Sequence, residues 1–285
     1  MGRSDGARGE GRRGDRTPSR PGAWKASGVV TLLSDFGTED PYVGMMKGVL
    51  LSEAPGIAIV DLTHGVPPQS VRVGSWFLSH AYGYFPEGTV HVAVVDPGVG
   101  SGRKLLVAED RGHAFLAPDN GLLGPVLSPE ARVHELDAPR FARDGASRTF
   151  HGRDILAPAA AAIARGLAPS ACAAGPIGFE RGEPVPSPRV LAPGRIECDV
   201  LLADRYGNLI LAARPADLGE SLEGWIVEAA GRTIPLRGAY AEAATGELLA
   251  LVDSYGALEI AVREGSAAAR LSLRPGDTVL FARTA

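Results

Sequence analysis

From Val29 onward the chain alternates short β-branched and apolar runs with segments of helical periodicity, and this alternation restricts the fold more than any other feature. "VVTLL" reads as a strand ended by the turn-forming "SDFGTEDP". Asp40 is placed to cap a helix that Pro41 opens at its first position. In "PYVGMMKGVLLSEAP" Val43, Met46, Val49 and Leu50 recur at helical spacing, and Pro55 closes the segment. A strand at "IAIVDL", a helix from Gln69 to about Tyr84 and a strand at "TVHVAVVD" follow, with further strands at "KLLVAED" and "HAFLA". Strand, helix, strand, helix, strand is the pattern of a layered α/β domain.

That pattern gives a reason to look at Asp35, Asp61 and Asp96, each of which follows an apolar run. Open α/β sheets bind ligands outside the carboxyl ends of their strands, so parallel strands would set the three carboxylates on one rim. Asp96 opens "DPGVGSGRK", where Pro97 and Gly98 are ordinary turn residues. The same loop also carries Arg103 and Lys104, a denser set of charges than a turn requires.

After "RDILAPAAAAIARGL", a further helix, the organisation changes. The proline-bearing "RGEPVPSPRVLAPG" reads as a linker. Beyond it "RIECDVLLAD", "NLILAA", "WIVEAA", "LLALVDS" and "LEIAV" are short strands separated by Gly and Asp turns, a small antiparallel barrel or sandwich. Residues 1–28 are rich in Gly, Arg, Ser and Pro, have only Trp24 to bury, and read as a disordered tail. The expected organisation is a tail over 1–28, an N-terminal layered α/β domain over 29–186 and a small antiparallel β-barrel domain over 193–285.

Composition narrows the function classes. The 285 residues carry a formal net charge of −4, which gives no general attraction to nucleic acid or anionic lipid. No apolar run approaches the ~20 residues of a membrane span, and no apolar stretch of a secretory signal opens the chain, so a cytoplasmic setting is expected. Cys172 and Cys198 have no ligand-like spacing and read as reduced structural residues. "GVGSGRK" fails as a phosphate loop, because Arg103 precedes the lysine and Leu105 replaces the hydroxyl residue. "DFG" and "HGRD" echo kinase motifs in the wrong order. His64, His113 and His134 lack metal spacing, and no metal is expected.

Taken together, "SDFGTEDPYVGMMKG", "IVDLTHGVPPQ", "FPEGTVHVAVVDPGVGSGRK", "APDNGLL", "TFHGRDILAPAAAAIA", "DRYGN" and "DSYGALEIA" resemble, in this order, the adenosine-forming S-adenosylmethionine hydrolases, or hydroxide adenosyltransferases. That family shares a superfamily with the fluorinase and chlorinase. The resemblance runs from about Val29 to the C-terminus. It implies a cofactor-free hydrolysis of S-adenosyl-L-methionine to adenosine and L-methionine, in a homotrimer whose active sites lie between the α/β domain of one subunit and the barrel of its neighbour.

The resemblance also implies roles for individual residues. Asp96, Arg103 and His151 would surround the nucleophilic water, with Asp96 and His151 both candidates for its proton. Asp35 would hold the ribose hydroxyls, Asp204 the methionine ammonium and Ser254 the methionine carboxylate. Tyr206 would stack on adenine while Asn208 reads its edge. "DRYGN" and "DSYG" are equally good turn sequences, which is the competing reading of these positions. The resembling halogenases have Trp at Gln69 and Tyr at Asp96 and lack the Arg103 and His151 pair. A buried carboxylate beside a halide position would repel the anion, which favours water. A halide-dependent adenosyltransferase and a non-catalytic S-adenosylmethionine or adenosine sensor are the alternatives.

Overall fold

The computed structural model describes residues 24–219 and 221–283. The tail expected over 1–28 lies mostly outside these residues. Trp24, within them, donates its indole N–H to the Ile163 carbonyl at 3.2 Å and packs on the α/β core.

The N-terminal sheet has seven strands: β1 (Val29–Ser34), β2 (Ala58–Thr63), β3 (Val90–Val94), β4 (Leu105–Asp110), β5 (His113–Pro118), β6 (Arg132–Leu136) and β7 (Ala173–Pro176). Their order is β2-β1-β3-β5-β4-β6-β7. The four strands β2, β1, β3 and β5 are parallel, and β4 runs antiparallel to both of its neighbours. Helices α1 (Tyr42–Glu53) and α4 (Ala157–Ala164) bury one face of the sheet, and α2 (Val71–Ala81) covers the other. Between α2 and α4 in the chain lies the four-residue α3 (Ala138–Phe141). Because both faces are covered, the inner strands read as continuous apolar runs: Val30 and Leu32 point into one core, Leu33 into the other. Val43, Met46, Val49 and Leu50 are the buried stripe of α1, as their spacing predicts. Asp40 does not cap that helix: Pro41 stands at the cap position and no side chain bonds the first turn.

The second sheet consists of β8 (Arg189–Ala192), β9 (Arg195–Ala203), β10 (Leu209–Leu211), β11 (Trp225–Ala229), β12 (Arg232–Pro235), β13 (Leu248–Val252), β14 (Leu258–Val262) and β15 (Thr278–Arg283). It is antiparallel, in the order β12-β11-β15-β9-β10-β14-β13, with β8 paired to β9. A bridge from Leu236 to Ala250, with the Arg237 amide donating to the Ala250 carbonyl at 2.8 Å, brings its two edges together into a nearly closed barrel. The barrel has its own core, which includes Cys198, Val227, Ile260 and Phe281. Leu201, Leu202, Ile210, Ala212 and Ala257 join the core beneath α2, so the two domains share one apolar contact.

The expected linker over 181–194 is more structured than its prolines suggest. Its last part forms β8, and at its start the backbone of Arg181 lies so close to Gly124 that a Cβ there would stand 1.7 Å from the Arg181 carbonyl oxygen. Among the described residues no helix is long and apolar enough to cross a membrane.

Candidate active site

The parallel strands deliver two of the three carboxylates to one rim. Asp35 follows β1 and Asp96 follows β3, which are adjacent and in register from Val30 opposite Val90 to Ser34 opposite Val94. Asp61 is different. It lies within the edge strand β2, opposite Leu32, where it accepts a hydrogen bond from Lys47 at 2.5 Å and faces His64. The apolar run simply continues past it, so Asp61 is a surface ion-pair residue and its carboxyl is held below the usual range despite partial burial.

Beyond Asp96 the chain turns through hydrogen bonds from the Val99 amide to the Asp96 carbonyl and from the Ser101 amide to the Gly98 carbonyl. Gly100 takes φ +79°, and a Cβ there would lie 2.7 Å from the Arg148 carbonyl oxygen. This glycine therefore permits a close approach between the Asp96 loop and the segment leading to His151. The approach has a chemical result. Arg103 returns over its own loop and grips Asp96 at two points, Nε donating to Oδ1 at 2.6 Å and Nη2 to Oδ2. Nη2 also reaches His151 Nδ1 at 3.1 Å. The two charged side chains are 8 % and 7 % exposed.

His151 is presented by a second framework. It stands at the N-terminal end of a π-turn, Gly152–Leu156, that runs directly into α4. Gly152 lets this turn lie on Met46 and Val94. Asp154, buried in the turn, accepts from the Ser147 amide at 2.8 Å and from Arg153 at 2.7 Å through both carboxylate oxygens. Those bonds lower its pKa and brace the loop that ends in His151. His151 itself has its pKa lowered, first by burial and then by the Arg103 charge, against smaller opposing effects of Asp96 and Asp154. Arginine can only donate, so the Arg103 contact requires an unprotonated Nδ1 and places the neutral ring's proton on Nε2. Arg103 Nη1 is buried with no protein partner among the described residues.

Asp35 accepts the Gln69 amide at 2.8 Å, across to a residue in the left-handed region at φ +65°. His64 closes the same corner by bonding Ser34 Oγ at 2.7 Å through Nδ1 and accepting the Gly37 amide on its carbonyl at 2.8 Å. His113 lies 3.1 Å from His91 in the core.

The barrel candidates fall into two turns. Asp204 Oδ1 accepts the amides of Tyr206 and Asn208 at 2.9 and 2.8 Å, and Oδ2 accepts the Asn208 side-chain amide at 3.0 Å. The turn role of "DRYGN" is thus real, and it leaves Tyr206 78 % exposed while Asn208 is buried. In "DSYG" the turn is organised by Asp253, which accepts the amides of Tyr255 and Ala257 at 2.8 and 2.9 Å, and Ser254 is exposed at its tip. Within one chain an interdomain groove of about 1270 Å³ is lined by Gln69, Ser70 and Arg72 on one side and Asp204, Tyr206 and Tyr255 on the other. Asp96, Arg103 and His151 do not line it.

Sequence reasoning missed three aromatic residues at the site. Phe36, Tyr42 and Phe150 form a triangle with ring centroids 5.5–5.8 Å apart, tying the residue after Asp35 to the residue before His151 through the start of α1. Each sits in a segment whose periodicity reads only as turn or helix, and the signal for Phe36 and Phe150 was their adjacency to Asp35 and His151.

A carboxylate and a guanidinium held largely out of solvent meet a half-buried neutral imidazole at the rim of an α/β sheet that carries a β-barrel, and these are the kinds of group from which enzyme active sites are built. Comparison with known proteins makes this specific. Residues 30–173 match the SAM hydroxide adenosyltransferase N-terminal domain and residues 198–280 the corresponding C-terminal domain. The chain belongs to the SAM hydroxide adenosyltransferase family. It is 42 % identical over 263 residues to an (R)-S-adenosyl-L-methionine hydrolase of Thermus thermophilus, covering 88 % of this chain and 98 % of the relative. A hydrolase of the same name from Salinispora arenicola is 39 % identical over 87 % of this chain and 95 % of its own. A fluorinase of an Actinoplanes species is 26 % identical over 49 % of this chain and 55 % of its own. The crystal structure of an uncharacterized conserved protein from Thermotoga maritima superposes with a TM-score of 0.81 at 32 % identity, over 89 % of this chain and all of the other.

Proposed function

We propose that this chain hydrolyses S-adenosyl-L-methionine to adenosine and L-methionine by attack of water on C5′, and that its substrate is the (R) sulfonium epimer named for its relatives. The observation that carries the reading is the convergence of the buried Asp96 and Arg103 side chains on half-buried His151. Water displaces the direct 3.1 Å contact between Arg103 Nη2 and His151 Nδ1 and bridges the two groups. There its oxygen accepts from the guanidinium and its proton faces the imidazole lone pair, a geometry suited to developing hydroxide.

In the step itself the O–C5′ bond forms as the C5′–S bond breaks, the electron pair leaves on sulfur, and the proton passes to His151. Departure turns a sulfonium into a neutral thioether, so neither an acid nor a Lewis acid is needed at sulfur. No metal or organic cofactor enters the proposal. Water, with a pKa of about 15.7, does need help, and here it comes from fixed charge and alignment. Asp96, engaged at two points by Arg103, aims the guanidinium and leaves His151 as the base.

Asp35 holds the ribose diol; Asp204 and Ser254 take the methionine ammonium and carboxylate; Tyr206 and Asn208 take adenine. The groove that Asp204 and Tyr206 line within one chain does not include the Asp96 trio, which supports a site completed by the barrel of a neighbouring subunit, in the proposed homotrimer. A cytoplasmic setting belongs to the same proposal and agrees with Cys172 and Cys198 being free and buried, their thiols pushed up to about 11 and 12 by burial. The test is chromatography of the products with and without chloride. Equal adenosine and methionine, unchanged by chloride, supports hydrolysis. A 5′-chloro nucleoside would make the chain a halide adenosyltransferase, and intact bound substrate would make it a sensor.

A further inference from the structure

Tyr42 is 45 % exposed although it belongs to the aromatic triangle, whereas Phe150 is 9 % exposed and Phe36 half-buried. Its ring is supported from two sides, 5.8 Å from Phe36 and 5.5 Å from Phe150, and so is held at the rim between the loop of Asp35 and the loop of His151. We propose that Tyr42 is a specificity-determining residue whose ring forms the wall against which the positively charged sulfur and its methyl group lie.

This inference rests on the hydrolase reading, which fixes the order of the reacting atoms. Water lies at His151 and the ribose at Asp35, so C5′ stands between them and sulfur projects from C5′ opposite the water. A side chain touching the neighbours of both Asp35 and His151 flanks that line. Tyr42 is the exposed aromatic residue in that position among the described residues. An aromatic face carries negative potential and attracts a cation within about 6 Å. Arg153 lies over Phe150 at 4.9 Å, and among the described residues no protein cation lies over the ring of Tyr42. The exposed carboxylates Glu39 and Asp40 precede it in the chain and add to the attraction for a substrate with two positive groups.

The chemistry assigns this contact to binding. The sulfur charge is present in the substrate, fades in the transition state and is absent from the product, so the ring favours substrate over both. Loss of the ring should therefore raise KM without lowering kcat.

The experiment compares KM for S-adenosylmethionine with the inhibition constant of S-adenosylhomocysteine, the neutral thioether that lacks only the methyl group and the charge. For Tyr42→Leu the expected result is KM raised about 3- to 30-fold with the inhibition constant unchanged within about twofold. Tyr42→Phe, which keeps the ring, should alter neither. Tyr42→Met, non-aromatic and of similar length, provides the same comparison if Tyr42→Leu does not fold, and an unchanged inhibition constant itself reports an intact site. An equal rise in both constants, no rise in either, or a loss in Tyr42→Phe would overturn the assignment. Wild-type turnover run alongside separates the two levels: no adenosine from wild type overturns the hydrolase reading, whereas normal wild-type turnover with equal shifts overturns Tyr42 alone.

Discussion

Arg103 spans Asp96 and His151 at once, with Nε on Asp96 Oδ1 at 2.6 Å and Nη2 shared between Asp96 Oδ2 and His151 Nδ1. One planar fork thus fixes the position of a carboxylate and the tautomer of an imidazole, which a point charge on a flexible stem cannot do.

The first prediction follows from that geometry. Arg103→Lys keeps the charge but loses the simultaneous contacts, and we predict a fall in kcat of about 10²-fold or more with a smaller change in KM, since the lost contact acts on developing charge. Steady-state kinetics check it. Wild-type kcat in Arg103→Lys would remove the guanidinium from the mechanism.

The pH dependence follows from His151. Burial and the Arg103 charge depress its pKa below the ordinary 6.5, so the ring stays neutral down to lower pH than a free histidine. The rate kcat/KM should rise with pH along an acid limb centred below 6.5 and level off above it. His151→Gln should be slow and lack that limb. An acid limb that persists in His151→Gln would assign the proton to another group.

How much of this was legible in the sequence depends on the range of the interactions involved. The α/β half could be read because β-branched runs and the stripe Val43, Met46, Val49 and Leu50 carry their own periodicity. Asp96 and Arg103 stood out as charges on one strand-end loop, but their grouping with His151 was legible only as a resemblance. Their convergence depends on Gly100 passing Arg148, a contact between distant segments that leaves no periodic trace, and on the local brace that Asp154 forms with Ser147 and Arg153. Asp61 misled for a local reason: a strand does not end at its first charged residue when that residue lies on an edge strand with Lys47 beside it. Strands β6, β7, β8, β12 and β15 were not read, because a proline-rich approach hides β8 and short or polar-flanked runs hide the others.

Gly100 offers a test of the scaffold. Gly100→Ala places a Cβ at φ +79° and 2.7 Å from the Arg148 oxygen, and the loops must part. We predict a loss of about 1–3 kcal/mol in stability, seen as a lower unfolding midpoint, together with a reduced kcat. Full activity at unchanged stability would mean that the two loops need not touch.

Asp204 separates turn from grip. Asp204→Asn retains an acceptor for the Tyr206 and Asn208 amides but removes the charge. If the carboxylate holds the methionine ammonium, KM should rise about tenfold or more while the thermal midpoint moves little. A large drop in midpoint with unchanged KM would leave Asp204 as a turn residue only.

The central claim is that water attacks C5′, and labelled water tests it most directly. The purified chain is incubated with S-adenosyl-L-methionine in ¹⁸O-water and the products are separated and weighed by mass spectrometry. The account predicts adenosine carrying one ¹⁸O at its 5′-hydroxyl and unlabelled methionine in equal amount. Adenosine without the label, or a 5′-halo nucleoside in its place, would contradict it.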